Sequence, residues 1–373
     1  MMWRRVNRHT KHILYSNMSG ELKSVLEDGP IEGEPLVSVC VITYNHGKYI
    51  RQCLDGILMQ KVNFPYEILI HDDASPDDTA DIIREYWEKY PTVIKPILRE
   101  ENQYSKGVDV SRFNFDRAKA KYIAQCEGDD YWTDDGKLQM QVDFLEEHEE
   151  YVECGHNVRC INDLGYLLPK RYIPYTYLRE RDYSIDDIKN GKIWRIPTAS
   201  AVYRNIYPNL DEKTVRDYYV LSANGDFKIN ILLSNFGKCH VFKRPMSVYR
   251  YIVNSGTSYQ ARNKGKNNIL YNYNVLIELE EYHKSIFNVD VNYKFMLSWI
   301  VAGAIGNSII PLLGDYKRNN QIKKDIASKY IQRYGKVSYV TVVIPLIIPV
   351  GIRYMCRIAY QKLVDLYMMI KLF

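Results

Sequence analysis

Runs of apolar residues alternate with amphipathic stretches over the first half of the chain. Four runs have the length of strands, at 36–43, 66–70, 93–98 and 118–125, and the first is a continuous apolar run of the buried, parallel type. The stretches that follow the first two repeat their apolar residues at helical spacing, and we expect Ser75 to cap the second of these helices. Alternation of this kind predicts an α/β fold with a mostly parallel mixed sheet flanked by helices.

The second half of the chain continues with less regular elements. Further strands are predicted at 152–161, 193–203 and 239–249, and helices at 225–233 and 267–283. We predict three parts. Residues 1–35 form a basic segment and linker, 36–260 form the α/β domain, in halves 36–135 and 136–260, and 261–373 form a helical C-terminal region.

Polar side chains follow three of the predicted strands at the point where each strand ends. Tyr44 and Asn45 follow the first strand, Asp72 and Asp73 the second, and an acidic group the fourth. Since the carboxyl ends of parallel strands share one edge of a sheet, these groups are expected to meet in one crevice. Ligands bind at that edge in open α/β sheets.

The acidic group consists of Glu127, Asp129 and Asp130 around Gly128. Adjacent carboxylates repel one another, and their hard oxygen atoms suit Mg²⁺ or Mn²⁺. An acidic surface turn has the same composition, because Gly and Asp are ordinary turn residues. On these residues alone both interpretations stay open.

Several classes of site are excluded by missing motifs. The chain has no GxGxxG after its first strand, no GxxxxGK[ST] loop and no HExxH pair. Its seven cysteines form no CxxC pair, and most lie in apolar runs, which is typical of a reduced intracellular protein. A nucleotidyltransferase is disfavoured because the Gly-rich loop after the first strand is missing.

Positive charge is concentrated at the C-terminal end. The net charge is +5, yet residues 314–373 carry eleven Lys and Arg against three Asp. Two uncharged runs, 295–313 and 337–352, are too polar or too broken to be clean membrane spans. We predict that this region lies on an anionic membrane surface. A helical bundle with a solvated basic face is the alternative.

Four sequence motifs occur in an order that resembles family 2 glycosyltransferases, which are inverting enzymes of the GT-A fold. They are VCVITYN at 39–45, DDASPDDT at 72–79, EGDDYW at 127–132 and GD at 225–226. The resemblance covers residues 36 to about 260. Many relatives have Asp where this chain has Glu127, so the resemblance leaves Glu127 without a role.

The resemblance implies a role for each matching residue. Nucleotide-sugar binding falls to Thr43, Tyr44, Asn45, Asp73, Ser75 and Asp129, the metal to Asp130 with Asp129, and the general base to Asp226. Arg250 is a candidate cation for the diphosphate, with a surface ion pair as the alternative. Trp132 and Thr198 are candidate acceptor contacts, although Trp132 could equally be a core residue.

Chemistry supports the choice of Asp226. In a direct displacement the base lies opposite the leaving group, so it must come from a different part of the chain than the metal site. Asp226 meets this condition about a hundred residues downstream, whereas His71 lies with the nucleotide-side acids and ranks below it. An acid that caps the helix at 225–233 is the alternative for Asp226.

The sequence therefore predicts a glycosyltransferase with a nucleotide-diphosphate sugar as donor and a saccharide or lipid-linked saccharide as acceptor. We expect Mn²⁺ or Mg²⁺ as cofactor, a role in surface polysaccharide or glycolipid assembly, and a cytoplasmic location at the inner face of the membrane. No nucleic-acid partner is expected. The alternative is a non-catalytic GT-A subunit that binds a nucleotide or glycan. The donor, the acceptor and the oligomeric state are left open.

Overall fold

A computed structural model describes residues 21–168, 180–190, 196–252, 269–309, 316–347 and 349. The chain divides into two compact units. The first comprises Met1–Asp186 and Trp194–Lys264, and the second comprises Asp187–Ile193 and Gly265–Phe373. The boundary predicted at residue 260 stays a prediction, because it falls outside the described residues.

The first unit is built on one mixed sheet, which has nine strands in the described residues. The strands are β1 Val37–Thr43, β2 Tyr66–Asp72, β3 Ile94–Leu98, β4 Tyr122–Glu127, β5 Tyr131–Trp132, β6 Tyr151–Ile161, β7 Arg181–Tyr183, β8 Val202–Arg204 and β9 Lys238–Arg250. Their order is β3-β2-β1-β4-β8-β6-β9-β5, and β7 also pairs with β9.

Strands β1 to β4 are parallel, whereas β8 is antiparallel to its neighbours β4 and β6. Strands β6 and β9 run parallel to each other. Strands β1, β2 and β4 are largely buried on both faces, as expected of a parallel sheet covered on both sides, whereas in the edge strand β3 only Ile94 is buried. The predicted α/β fold with a mostly parallel mixed sheet is confirmed.

Helices connect and flank these strands. In chain order they are α1 Val25–Asp28, α2 Ile50–Leu58, α3 Thr79–Lys89, α4 Arg112–Phe115, α5 Lys137–Glu147, α6 Ile185–Lys189, α7 Glu212–Tyr219 and α8 Gly225–Leu233. The apolar sides of α2, α3 and α5 pack in the same core as β1, β2 and β4. This packing holds the carboxyl ends of the parallel strands in fixed positions.

Two sequence-based predictions about these elements are wrong. Helix α3 begins at Thr79 with Asp78 before it, so Ser75 is not its cap. The strand predicted over 193–203 is confined to β8, because Pro197 precedes a 3₁₀ turn at Thr198–Ser200. Residues 193–195 lie outside the described part of the chain.

The second unit is helical where it is described. Its long helices are α9 Ile269–Phe287, α10 Lys294–Ile309 and α11 Tyr316–Ser338. A salt bridge of 2.5 Å joins Arg333 of α11 to Glu280 of α9. None of the helices in the described ranges combines the length and the apolar character needed to cross a membrane.

Candidate active site

The predicted meeting of the three strand ends is seen in the strand register. Thr43 at the end of β1 pairs with Asp72 at the end of β2. On the other side of β1, Ile42 pairs with Glu127 at the end of β4. The polar residues that follow these strands therefore share one edge of the sheet, as the sequence predicted.

The loop after β1 is braced by the loop after β2. Three consecutive backbone N–H groups, those of residues 45–47, each donate a hydrogen bond to a side chain of the second loop. The acceptors are Ser75 Oγ at 2.8 Å, Thr79 Oγ1 at 2.9 Å and Asp77 Oδ2 at 2.9 Å. Ser75, predicted to bind the nucleotide, therefore also fixes the shape of the neighbouring loop.

Both loops contain a residue in the left-handed region of backbone space. Asn45 has φ 59° and Ala74 has φ 62°. Asn tolerates this conformation, but for Ala it is strained, by about 1–3 kcal/mol, and such strain tends to cluster at functional sites. The neighbouring Tyr44 is half-buried at the same edge.

Asp73 anchors the long loop between β3 and β4. Its Oδ1 accepts the backbone N–H of Gln103 at 2.8 Å, and its Oδ2 accepts that of Tyr104 at 2.9 Å. Its backbone carbonyl accepts a bond from Asn102 Nδ2 at 2.9 Å. The side chain is buried, so a bond to a nucleobase would use the remaining lone pairs of an already occupied carboxylate.

The acidic residues after β4 form a compact group. Glu127, Asp129 and Asp130 each offer a carboxylate oxygen, and these atoms lie within 4.8 Å of one another. Burial raises the pKa of Glu127 to about 8, and the negative charges of Asp129 and Asp226 add to the effect. Burial, followed by the charges of Asp129 and Glu127, also raises the pKa of Asp130.

These three residues fit a divalent cation. Three clustered oxygen donors are the ligands that Mg²⁺ and Mn²⁺ prefer, and a cation would offset the burial and the mutual repulsion that together raise the pKa of Glu127 and Asp130. Glu127, which the resemblance left without a role, belongs to this group. The signal in the sequence was its place in the same acidic turn.

His46 is a site residue that the sequence analysis missed. Its Nδ1 lies 3.1 Å from Thr43 Oγ1, and its Nε2 lies 3.8 Å from Asp129 Oδ2. The imidazole thus stands between the end of β1 and the acidic group. Its position directly after Tyr44 and Asn45 was the available signal.

Gly128 allows this close approach. A Cβ atom built there would lie 2.6 Å from Thr43 Oγ1 and 2.9 Å from His46 Nδ1.

We expect Gly128→Ala to lower the free energy of unfolding by about 1–3 kcal/mol, as for other overpacked positions, and to weaken metal binding. Gly136→Ala is the matched control, since its Cβ would meet no atom closer than 3.6 Å. Chemical denaturation and Mn²⁺ titration of both variants test this; equal behaviour would refute it.

Arg250 supports Asp130 through its backbone. Its N–H donates to Asp130 Oδ1 at 2.8 Å. Its guanidinium group lies 4.7 Å from the centre of the Tyr49 ring and 5.0 Å from that of the Tyr131 ring, and it donates to Gln52 Oε1. Arg250 is only 8% exposed, so in this structure the candidate cation for the diphosphate is buried close to two aromatic rings.

Asp226 lies in the first turn of α8, where the helix dipole favours a carboxylate. It is half-buried, and its charge contributes to the raised pKa of Glu127. The fold therefore brings Asp226, from a distant part of the sequence, into electrostatic range of the acidic group. The role of Asp226 as the general base stays a prediction.

A buried ion pair ties α8 to the long loop. Lys228, two residues after Asp226, pairs with Asp109 and is 4% exposed at its side chain. Its ammonium group lies 4.9 Å from the centre of the Tyr218 ring. The loop anchored by Asp73 at one point is thus fixed to the helix of Asp226 at another.

The remaining candidates, Trp132, His71 and Thr198, lie in the core or in a short turn. Trp132 is 1% exposed in the hydrophobic core, under the ammonium group of Lys137 at 3.9 Å, so its ring offers no face to a sugar. Trp132 is therefore a core residue, which was the alternative given from the sequence. His71 is fully buried against Phe113, and burial lowers its pKa to about 4. Thr198 is half-buried in the 3₁₀ turn before β8.

Comparison with known families identifies this domain. The model of glycosyl transferase family 2 matches residues 38–207, which include the ends of β1, β2 and β4. Residues 38–207 belong to glycosyl transferase family 2. The resemblance stated from the sequence is confirmed for this part of the chain.

Relatives match part of the chain. An uncharacterized protein of Mycobacterium tuberculosis is 36% identical over 216 residues, which are 57% of this chain and 58% of that protein. The Bacillus subtilis protein TuaG, named as a candidate teichuronic acid biosynthesis glycosyltransferase, is 37% identical over 115 residues, 31% of this chain and 43% of TuaG. The chain thus spans little more than half the length of the first relative.

A solved structure shares the fold. Residues 1–349 of S. aureus TarS in complex with UDP-GlcNAc align with a TM-score of 0.56 at 16% identity, covering 86% of this chain and 91% of that one. At this identity the likeness concerns the fold alone. Together with the family match it confirms the predicted GT-A architecture.

Proposed function

We propose that this chain is an inverting glycosyltransferase that moves a sugar from a nucleotide-diphosphate sugar to the hydroxyl group of an acceptor. The observation that carries the proposal is the grouping of Glu127, Asp129 and Asp130 at the sheet edge, with Asp226 close enough to affect the pKa of Glu127. The family 2 match of residues 38–207 supports the same reaction class.

In this proposal the chain's own residues hold the donor and remove one proton. Asp129 and Asp130, with Glu127 beside them, would hold the cation. When bound, Mg²⁺ or Mn²⁺ supplies Lewis-acid stabilisation of the leaving diphosphate. Thr43, Tyr44 and the loop after β1 would form the nucleoside side of the crevice.

Asp226 would act as the general base. The acceptor oxygen forms a bond to the anomeric carbon as the bond from that carbon to the diphosphate oxygen breaks, and the hydroxyl proton passes to the Asp226 carboxylate. Because attack comes from the face opposite the leaving group, the sugar is transferred with inversion. An intact base of this kind counts against a non-catalytic binding subunit.

The acceptor and the location complete the proposal. The relation to TuaG supports a saccharide or lipid-linked saccharide acceptor in surface polysaccharide assembly. The basic C-terminal region supports a place on the inner face of the cell membrane, where a lipid-linked acceptor would be found. The complex of TarS with UDP-GlcNAc makes UDP-sugars the first donors to test.

A nucleotide screen tests the donor site. UDP, GDP, CDP and dTDP are added with and without Mn²⁺, and the melting temperature is measured. One nucleotide with Mn²⁺ should stabilise the protein by about 2.7 kcal/mol at a concentration of a hundred times its dissociation constant. Asp130→Asn, which keeps the oxygen that accepts the Arg250 N–H, should lose the Mn²⁺-dependent part.

Asp135→Asn is the matched control for the screen. Asp135 lies in the same stretch of sequence but forms an exposed pair with Lys61, 3.2 Å away. It should respond like the unaltered protein. If no nucleotide stabilises the protein, or if Asp130→Asn keeps the full Mn²⁺ effect, the proposed site is wrong. Incubation with the sugar derivatives of the nucleotide that binds then tests transfer directly.

A further inference from the structure

A bend in the second unit separates a charged helix from an uncharged stretch. Gly335 within α11 has φ 83° and ψ 158°, so the chain turns there. The residues after it continue as a π-type turn at Tyr339–Val343 and further helix to residue 347. We call residues 337–347, which contain no charged side chain, the apolar segment.

One side of the apolar segment is fixed to the helices of its own unit. Val343 is fully buried, and Ser338 is 8% exposed. The Tyr330 hydroxyl lies 3.2 Å from Ser338 Oγ and 2.7 Å from Ser298 Oγ of α10. These contacts determine which side of the segment faces outwards.

The outward side carries bare apolar side chains. Val337 is 78% exposed, Val340 55% and Ile344 46%, and their spacing of three and four residues places them on one helical face. Phe295 lies in the first turn of α10 and is 60% exposed. The ammonium group of the neighbouring Lys294 lies 5.5 Å from the centre of the Tyr334 ring, which places this turn beside the bend. A cluster of this kind is typical of an interaction surface.

The charged residues that flank the apolar segment in the sequence have one sign. Lys329 and Lys336 are exposed close to the bend, and the sequence has no acidic residue between Asp325 and Asp365. Arg333 is paired with the Glu280 carboxylate, whereas Lys329 donates to the neutral Asn274 side chain at 3.3 Å and keeps its net charge, as does the exposed Lys336. Apolar side chains beside exposed lysines match a lipid surface with anionic headgroups.

We propose that Val337, Val340 and Ile344, together with Lys329 and Lys336, form a docking surface for an anionic lipid bilayer. The three apolar side chains enter the boundary between headgroups and acyl chains while the lysines contact the headgroups. A second copy of this chain fits less well, because the same surface on both copies would bring like charges together. This inference deepens the membrane location proposed above by naming its contact residues.

Vesicle binding of the full chain tests this surface without any substrate, so its outcome is independent of sugar transfer. The protein is sedimented with vesicles of phosphatidylcholine alone and of phosphatidylcholine and phosphatidylglycerol in equal parts. We expect binding to the mixed vesicles that is at least about tenfold stronger than to the neutral ones and that falls as salt is added.

One triple variant and a control locate the contact. The triple change Val337→Glu, Val340→Glu and Ile344→Glu should weaken binding to mixed vesicles at least about tenfold. Val220→Glu, at a 72% exposed valine of the other unit, should leave binding unchanged. Since all four positions are exposed, the fold should be retained, and circular dichroism checks this.

Removing Lys329 and Lys336 provides an independent measurement. Each Lys→Gln change should weaken binding to mixed vesicles about fivefold and leave binding to neutral vesicles unaltered. The proposal is overturned if the native chain binds neither vesicle, or if the triple variant binds as well as the native chain. It is also overturned if the triple variant turns a dimer into a monomer with vesicle binding intact, which would make a second copy the occupant.

Discussion

Asp226→Asn is expected to lower the rate of sugar transfer by about 10²- to 10⁴-fold, the usual contribution of a positioned general base. The amide has nearly the shape of the carboxylate but cannot take the proton of the acceptor hydroxyl. Because Asp226 is not among the residues proposed to hold the nucleotide, the affinity for the nucleotide should stay within about twofold. The expected signature is a fall in kcat at an almost constant donor KM.

The control must distinguish a general base from an acidic residue that only stabilises its own helix through the helix dipole. Glu212 also lies in the first turn of a helix, α7, and is exposed. Glu212→Gln removes the same kind of dipole interaction, about 0.3–1 kcal/mol, with no expected effect on transfer. If Asp226→Asn loses transfer, nucleotide binding and stability in equal measure, Asp226 is structural and the proposed mechanism fails. Transfer and nucleotide titrations on both variants decide between these outcomes.

The strand ends were predictable because one rule places them. Parallel strands bring their carboxyl ends to the same edge, so buried strands that end in polar residues were enough to locate Asp72 near Thr43 and Glu127 near Ile42. The acidic group was visible in its own short sequence, although that sequence alone left an acidic surface turn open as the alternative. The hydrophobic pattern and the rule for parallel strands are therefore enough to outline the site from the sequence.

Contacts between distant side chains could not be predicted in this way. Ser75 next to Pro76 has the local sequence of a helix start, but its hydroxyl is used by Asn45 N–H and the Asp72 carboxylate. The rings close to Arg250 belong to Tyr49, just before α2, and to Tyr131 of β5, which are far apart in the sequence. Tertiary packing overrides the local conformational preference at such positions, and the hydrophobic periodicity of the sequence gives no signal of these contacts.

The pair of Asp109 and Lys228, 119 residues apart, is another contact of this kind, and breaking it should have the largest effect on stability. Asp109→Asn leaves the ammonium group of Lys228 buried against Tyr218 without its counter-charge. The free energy of unfolding should fall by about 3–5 kcal/mol, the range for an uncompensated buried charge. Lys228→Met should cost less, because Asp109 is 21% exposed and water can reach it.

A double-mutant cycle isolates this effect. The double variant Asp109→Asn, Lys228→Met buries no lone charge, so it should be more stable than Asp109→Asn alone. Lys121→Met, in the exposed pair with Glu146, is the control and should change stability by no more than about 1 kcal/mol. Urea denaturation of the five proteins gives these energies. Additive changes across the cycle would show that the two charges do not depend on each other.

The same pair links stability to the proposed reaction. The long loop is fixed to Asp73 at residues 103 and 104 and to α8 through Asp109, so it joins the nucleotide side of the crevice to the helix of Asp226. If the pair sets the position of that helix, the double variant should lose more transfer activity than nucleotide affinity, although most of its stability is regained. An equal loss of both would mean that the pair stabilises the fold without positioning Asp226.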